Sequence, residues 1–146
     1  MSKIPRHPIF VSVIAFSKGA LFTIERKEPP YEGFYQLPEG PVKKGERLEA
    51  AAQRVLQEAS GLNGTKLKLI GIYDDVDTGE RRIPGVRSYI ISFLAMVWTG
   101  EVPLDGCRWI SDWRGTQLAW EHNEMLIEAD EVIGMATKSR MLYAVR

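Results

Sequence analysis

A chain of 146 residues has the usual size of one domain and can bury a core without disulfides or a structural metal. Its 45% apolar and 26% charged residues exclude a disordered chain, and nineteen basic against nineteen acidic residues leave no overall charge to attract nucleic acid or an anionic membrane. The single cysteine, Cys107, excludes an internal disulfide, and no apolar run approaches the roughly 20 residues of a membrane span.

No Cys/His cluster has zinc spacing, and the start of the chain carries neither a signal-peptide core nor a lipidation motif. The expectation is one cytoplasmic domain, 1–146, with 138–146 as a short tail or a last helical turn. In chain order, residues 9–16 and 20–26 are β-branched and aromatic around a Ser-Lys-Gly turn, which predicts paired strands. Two prolines and a glycine make 27–33 a loop before a short strand at 34–37, and Pro38-Glu39-Gly40-Pro41 breaks both helix and strand. Apolar residues at 48, 51, 52, 55, 56 and 59 have a helical period, and Gly61 stands where a left-handed cap belongs. Strands are expected again at 67–74, 86–98 and 107–110, and a second helix at 119–135. Strands interrupted by two helices predict an α/β fold with a mixed sheet covered on both faces. Its core is expected around Val11, Val13, Phe22, Ile70, Ile72, Ile90, Ile91 and Phe93.

The most informative segment is Gly40-Pro-Val-Lys-Lys-Gly-Glu46, followed after seven residues by Arg54 and then Val-Leu-Gln-Glu58-Ala-Ser-Gly61-Leu62. It resembles the Nudix box, whose family hydrolyses nucleoside diphosphates linked to another moiety. Gly40, Glu46, Arg54, Leu56, Glu58, Gly61 and Leu62 match in register. The resemblance implies an α/β/α sandwich with a mixed β-sheet and a loop-helix-loop motif. Two family carboxylates are absent, being Val55 and Ala59 here, and the usual Leu-Pro-Gly-Gly turn reads Leu37-Pro38-Glu39-Gly40. Later segments are similar to the ADP-ribose pyrophosphatase-like branch: Leu118-Ala119-Trp120-Glu121-His122, Asp105-Gly106-Cys107-Arg108-Trp109, and Arg81-Arg82-Ile83-Pro84-Gly85.

Hydrolysis of a diphosphate needs charge neutralised on the phosphoryl oxygens and an activated water, tasks that hard divalent cations held by carboxylates perform. Positions 55, 58 and 59 share one sector of a helix, and only Glu58 keeps a carboxylate there. Mg²⁺ or Mn²⁺ is therefore expected to be held weakly or not at all, by Glu58 with Glu39 as a replacement ligand and Glu121 or Glu124 as a remote acid. Arg54 and Glu46 take a bracing role from the resemblance; without it, Arg54 and Glu58 four apart make an ordinary surface pair. Arg81, Arg82 and Arg87 are candidate phosphate contacts, or a solvated basic loop. His122 is a candidate base or phosphate contact, or a structural histidine. Tyr31, Tyr35 and Tyr73 could stack on a base or serve as half-buried packing.

Three functions compete. The first is a Nudix-type hydrolase of a nucleoside diphosphate derivative, ADP-ribose or a relative, with impaired activity. The second is a non-catalytic nucleotide-binding module. The third is an interaction domain that uses the apolar helix face extended by Val55 and Ala59. The expected partner is a small-molecule nucleotide, without nucleic acid or membrane, and a homodimer is left open.

Overall fold

A computed structural model describes residues 7–76, 80–101 and 106–144, from 134 onward as backbone only. The first strand, β1 (Ile9–Ile14), alternates in its burial partners, as a strand with both faces covered must. Val11 and Val13 join one buried cluster and Ile14 the other. A bend at Ala15 leads into β2 (Phe16–Ser17), and the turn at Lys18 and Gly19, both with positive φ, returns the chain as β3 (Ala20–Glu25). Two short strands follow, β4 (Tyr35–Gln36) and β5 (Glu39–Pro41), then helix α1 (Leu48–Ser60). Next come β6 (Asn63–Asp74), β7 (Tyr89–Thr99), β8 (Cys107–Ile110), a 3₁₀ turn at Trp113–Gly115, and α2 (His122–Ala144).

One sheet has the order β5-β1-β7-β6, with β1 and β7 parallel and the outer pairs antiparallel. The second is built on β3, which pairs β2, β4 and β8, all antiparallel. The expected mixed sheet is thus present. Its two faces are covered by different helices. Ala51, Ala52, Val55 and Leu56 of α1 pack with Val11, Val13, Ile91 and Phe93, whereas Met125, Leu126 and Ala129 of α2 pack with Ile14, Ile90 and Leu94. Gly61 caps α1 in the left-handed conformation (φ 75°), its N–H donating to the Gln57 carbonyl, as the sequence predicted.

Three expectations are corrected. Residues 39–41 form a strand, because β1 has a free edge that accepts Gly40 opposite Val11 and Glu39 opposite Ser12. Ile72 is 66% exposed. It lies on the edge strand β6, opposite Ile91 of β7. The second helix, expected over 119–135, starts only at His122 and runs to Ala144, so residues 138–144 take the helical one of the two forms left open. Among the described residues, no helix is long and apolar enough to cross a membrane.

Candidate functional site

The two faces of β5 send its neighbours to different places. A Cβ on Gly40 would lie 3.0 Å from Cγ2 of Val55, so position 40 faces α1. Adjacent strand residues point to opposite sides, and Glu39 accordingly points toward the start of α2. There His122 Nε2 lies 3.0 Å from Glu39 Oε1. The Leu37 N–H donates to His122 Nδ1 at 3.1 Å, which leaves the ring proton on Nε2 and makes that nitrogen the donor to Glu39.

Arg82 completes this cluster from the loop between β6 and β7. Its Nε and Nη2 donate to the two oxygens of Glu39 at 2.9 and 2.7 Å. Nη1 donates to Glu121 Oε2 at 2.8 Å, and Nη2 also reaches Glu121 Oε1. The loop is held in place by buried Asp75, which accepts the backbone N–H groups of Arg82 and Ser88 at 3.1 and 2.9 Å. The side chains of Arg82, Glu39 and Glu121 are only 3, 6 and 3% exposed. Burial alone would raise the Glu39 pKa. The His122 hydrogen bond and the Arg82 guanidinium outweigh it and hold this carboxyl at about 2. Burial likewise works against the charge on Arg82, and its two carboxylate partners overcome that and raise its pKa.

Trp120 covers the cluster. Its backbone has φ 56°, a left-handed conformation that costs a non-glycine residue energy, so the surrounding contacts must impose it. The Arg82 guanidinium lies 4.3 Å from the indole centroid and that of Arg26 4.9 Å, while the indole N–H donates to Gln36 Oε1 at 3.2 Å. Tyr31, also at positive φ (64°), meets the Trp120 ring edge-on at 5.2 Å. Arg26 donates to the Pro30 and Glu28 carbonyls and to Gln36 Oε1, all neutral acceptors.

On the α1 side, Arg54 clasps Glu46 through Nε and Nη2 at 2.8 and 3.0 Å, and Nη2 also donates to the Pro41 carbonyl at 2.7 Å. Glu46 in turn accepts the Lys43 N–H at 3.0 Å. The Arg54 and Lys43 hydrogen bonds hold the Glu46 carboxyl at about 2. This arrangement ties the loop before α1 to the helix. Arg54 Nη1 is 3.3 Å from Glu58, whose side chain is 62% exposed.

The site residues named from the sequence therefore fall into two groups. Glu46, Arg54 and Glu58 meet on the α1 side, and Glu39, Arg82, Glu121 and His122 meet on the α2 side. Glu39 does not stand beside Glu58 as a replacement ligand, because strand alternation turns it to the opposite face. Arg82 is not an open phosphate contact, because two carboxylates and an indole enclose it. Arg81 lies 3.9 Å from Asp75, and Arg87 is paired with Asp74 through Nε at 3.0 Å and through Nη2. Tyr35 hydroxyl lies 3.5 Å from Arg108, and Tyr73 packs in the α2 cluster. Asp105 of the quoted motif lies outside the described residues. Trp120 was expected within the second helix and Arg26 in a strand, neither in the site; Trp120 instead precedes the helix, and its place within Leu118-Ala119-Trp120-Glu121-His122 was the available signal.

A divalent metal of the kind the resemblance implies would find a poor ligand set at positions 55, 58 and 59 of α1. Val55 is 4% exposed in the core, Ala59 has no donor side chain, and Glu58 is a single carboxylate already facing Arg54. On the other face, Glu39, Glu121 and His122 each offer a ligand atom within 4.8 Å of the others, but Arg82 already engages both carboxylates.

Comparison with known proteins agrees with the fold and the motif. The chain is 34% identical over 76 residues to the ADP-ribose pyrophosphatase of Methanocaldococcus jannaschii, a match covering 51% of this chain and 45% of that protein, less than half its length. It is 31% identical over 139 residues to the RNA pyrophosphohydrolase of Caulobacter vibrioides, covering 88% of this chain and 68% of that one. Among solved structures, a MutT NUDIX hydrolase from Burkholderia pseudomallei superposes with a TM-score of 0.71 at 22% identity, covering 83% of this chain and 96% of that one. The NUDIX domain of Shewanella oneidensis NrtR, solved with ADP ribose, does so with 0.69 at 16% identity, covering 89% and 90%. With residues 5–135 matching the NUDIX domain, the chain belongs to the NUDIX domain family.

Proposed function

We propose that this domain binds a nucleoside diphosphate derivative of the ADP-ribose type and hydrolyses it poorly with Mg²⁺ or Mn²⁺. The observation that carries this reading is the split in the motif: its bracing pair, Glu46 and Arg54, is intact, while of the three helix positions 55, 58 and 59 only 58 keeps a carboxylate, beside core Val55. With one carboxylate left at the three motif positions, the helix holds a cation loosely, and a loosely held cation neither stabilises phosphoryl charge nor prepares a water.

The cleft in this reading is bounded by the turn at Glu39, the loop from Arg81 to Arg87, and Trp120 at the entry to α2. Arg81, one-third exposed, and Arg26, bonded to neutral acceptors among the described residues, are the cations suited to a diphosphate. Support for the ligand class comes from the relatives, one named for ADP-ribose hydrolysis and one solved with ADP ribose. Another is named for RNA pyrophosphate hydrolysis, so the test must include that substrate class.

The experiment pairs a phosphate-release panel with thermal shift on the same compounds: ADP-ribose, dinucleotides, nucleoside triphosphates and a short RNA with a 5′ polyphosphate, each with Mg²⁺ and Mn²⁺. The expected result is a rise in melting temperature with ADP-ribose and slow release. Stabilisation with no release favours a binding module. Fast release that depends on Glu58 overturns the impairment, and no shift with any compound overturns the cleft.

A further inference from the structure

We propose that Arg82 is the resident cation of this site: its guanidinium occupies the space between Glu39 and Glu121 that a divalent ion would otherwise take, so the α2 face works without a metal. The inference goes beyond the substrate reading and does not depend on turnover. All four oxygens of the two carboxylates accept an N–H from Arg82. Glu39 Oε1 additionally takes the His122 Nε2 proton. A planar fork satisfies two carboxylates at once in a way no ammonium can, and its charge is not lost at any physiological pH.

Three further features make the guanidinium a fixture rather than a mobile gate. Its backbone N–H is bound to buried Asp75, so the loop cannot withdraw without exposing that carboxylate. Trp120 lies over its outer face in a backbone conformation the fold has to impose. His122 is fully buried, and its Nδ1 is committed to the Leu37 N–H. A cation entering here must displace Arg82 from both acids and leave a desolvated guanidinium without a partner, a strongly unfavourable exchange. The same clamp joins the β6–β7 loop, β5 and the first turn of α2, which preorganises the wall of the cleft without help from a bound ion.

The test measures Mn²⁺ binding by the electron paramagnetic resonance signal of the free ion, and melting temperature with EDTA or about 5 mM Mn²⁺. The proteins are the wild type, Glu39→Gln, Glu121→Gln, Glu58→Gln, Arg82→Lys and Arg82→Ala. Whatever Mn²⁺ the wild type takes up should be unchanged by Glu39→Gln or Glu121→Gln. Arg82→Ala should melt lower in EDTA, bind one Mn²⁺ at least about tenfold more tightly than the wild type, and regain several degrees with Mn²⁺. Adding Glu39→Gln to it should abolish that gain. Arg82→Lys keeps the charge and should gain no Mn²⁺ affinity. Wild-type Mn²⁺ binding that falls about tenfold on Glu39→Gln or Glu121→Gln overturns the proposal, as does a folded Arg82→Ala protein with no new Mn²⁺ site. The wild-type comparison alone decides the matter if Arg82→Ala does not fold. Mn²⁺ binding lost only on Glu58→Gln leaves the proposal standing and bears instead on the impaired-hydrolase reading.

Discussion

Replacing Val55 by glutamate restores a family carboxylate at the position where this fold has placed a core side chain. Val55 is 4% exposed, packed among Val11, Ala52 and Leu56, and its Cγ2 sits against Gly40. The substitution removes a buried valine worth about 1.5–3 kcal/mol. It also puts an unpaired charge into the same slot, and uncompensated charges of that kind cost about 3–5 kcal/mol. Partial escape of the longer side chain toward Glu58 keeps the two costs from adding in full, so about 4 kcal/mol is the working figure. At about 3 °C per kcal/mol for a domain of this size, the melting temperature in EDTA should fall by about 12 °C. Adding Ala59→Glu, at a half-buried position, should change little further in EDTA and should complete a three-acid cluster with Glu58. If that cluster binds Mg²⁺ with a dissociation constant of about 1 mM, about 10 mM Mg²⁺ returns about 1.4 kcal/mol, or about 4 °C. Differential scanning fluorimetry of wild type, single and double variants, with and without Mg²⁺, reads both numbers. A Val55→Glu protein melting within about 2 °C of wild type in EDTA would show that position 55 is not sealed in the core, and the explanation of the lost metal site would fail.

Gly40→Ala should destabilise the protein by about 1–3 kcal/mol, since the new Cβ would come within 3.0 Å of Val55 Cγ2; in a Val55→Ala background most of that cost should vanish, which a double-mutant cycle by urea denaturation measures. His122→Ala leaves the buried Leu37 N–H without its acceptor, at a cost of about 1–3 kcal/mol beyond the lost packing, and His122→Asn should recover part of it if its amide oxygen reaches the same N–H. Acid should destabilise the domain in a defined window. Glu39 and Glu46 have folded pKa values lowered from 4.5 to about 2, so their contribution is complete above 4.5 and is lost as pH falls toward 2. Glu39→Gln should flatten the slope of stability against pH between those values, and an unchanged slope would remove Glu39 from the account.

Much of the fold was legible because local patterns agreed with the tertiary outcome. The β-branched and aromatic run of β1, the helical period of α1 and the left-handed Gly61 cap need only neighbours in sequence to be read. A bracing role for Glu46 and Arg54 was expected from a motif of fixed spacing, but that two hydrogen bonds join these side chains to each other was visible only in the structure. The strand at Glu39–Pro41 was not legible. Its proline-flanked sequence reads as a breaker, and only the free edge of β1 makes it a strand.

The sequence by itself determined the family frame, the α/β order of elements and the absence of acids at positions 55 and 59. Tertiary structure alone decided what the remaining charges do. Glu39 is one residue from Gly40, yet the pleat sends it to the opposite face of the sheet from α1, where it meets partners 43, 82 and 83 positions away in Arg82, Glu121 and His122. No local pattern encodes that meeting, because it depends on which strand edge, loop and helix start converge. Burial then makes the pairing obligatory, since none of the charges on Glu39, Arg82 and Glu121 could be left alone in that interior.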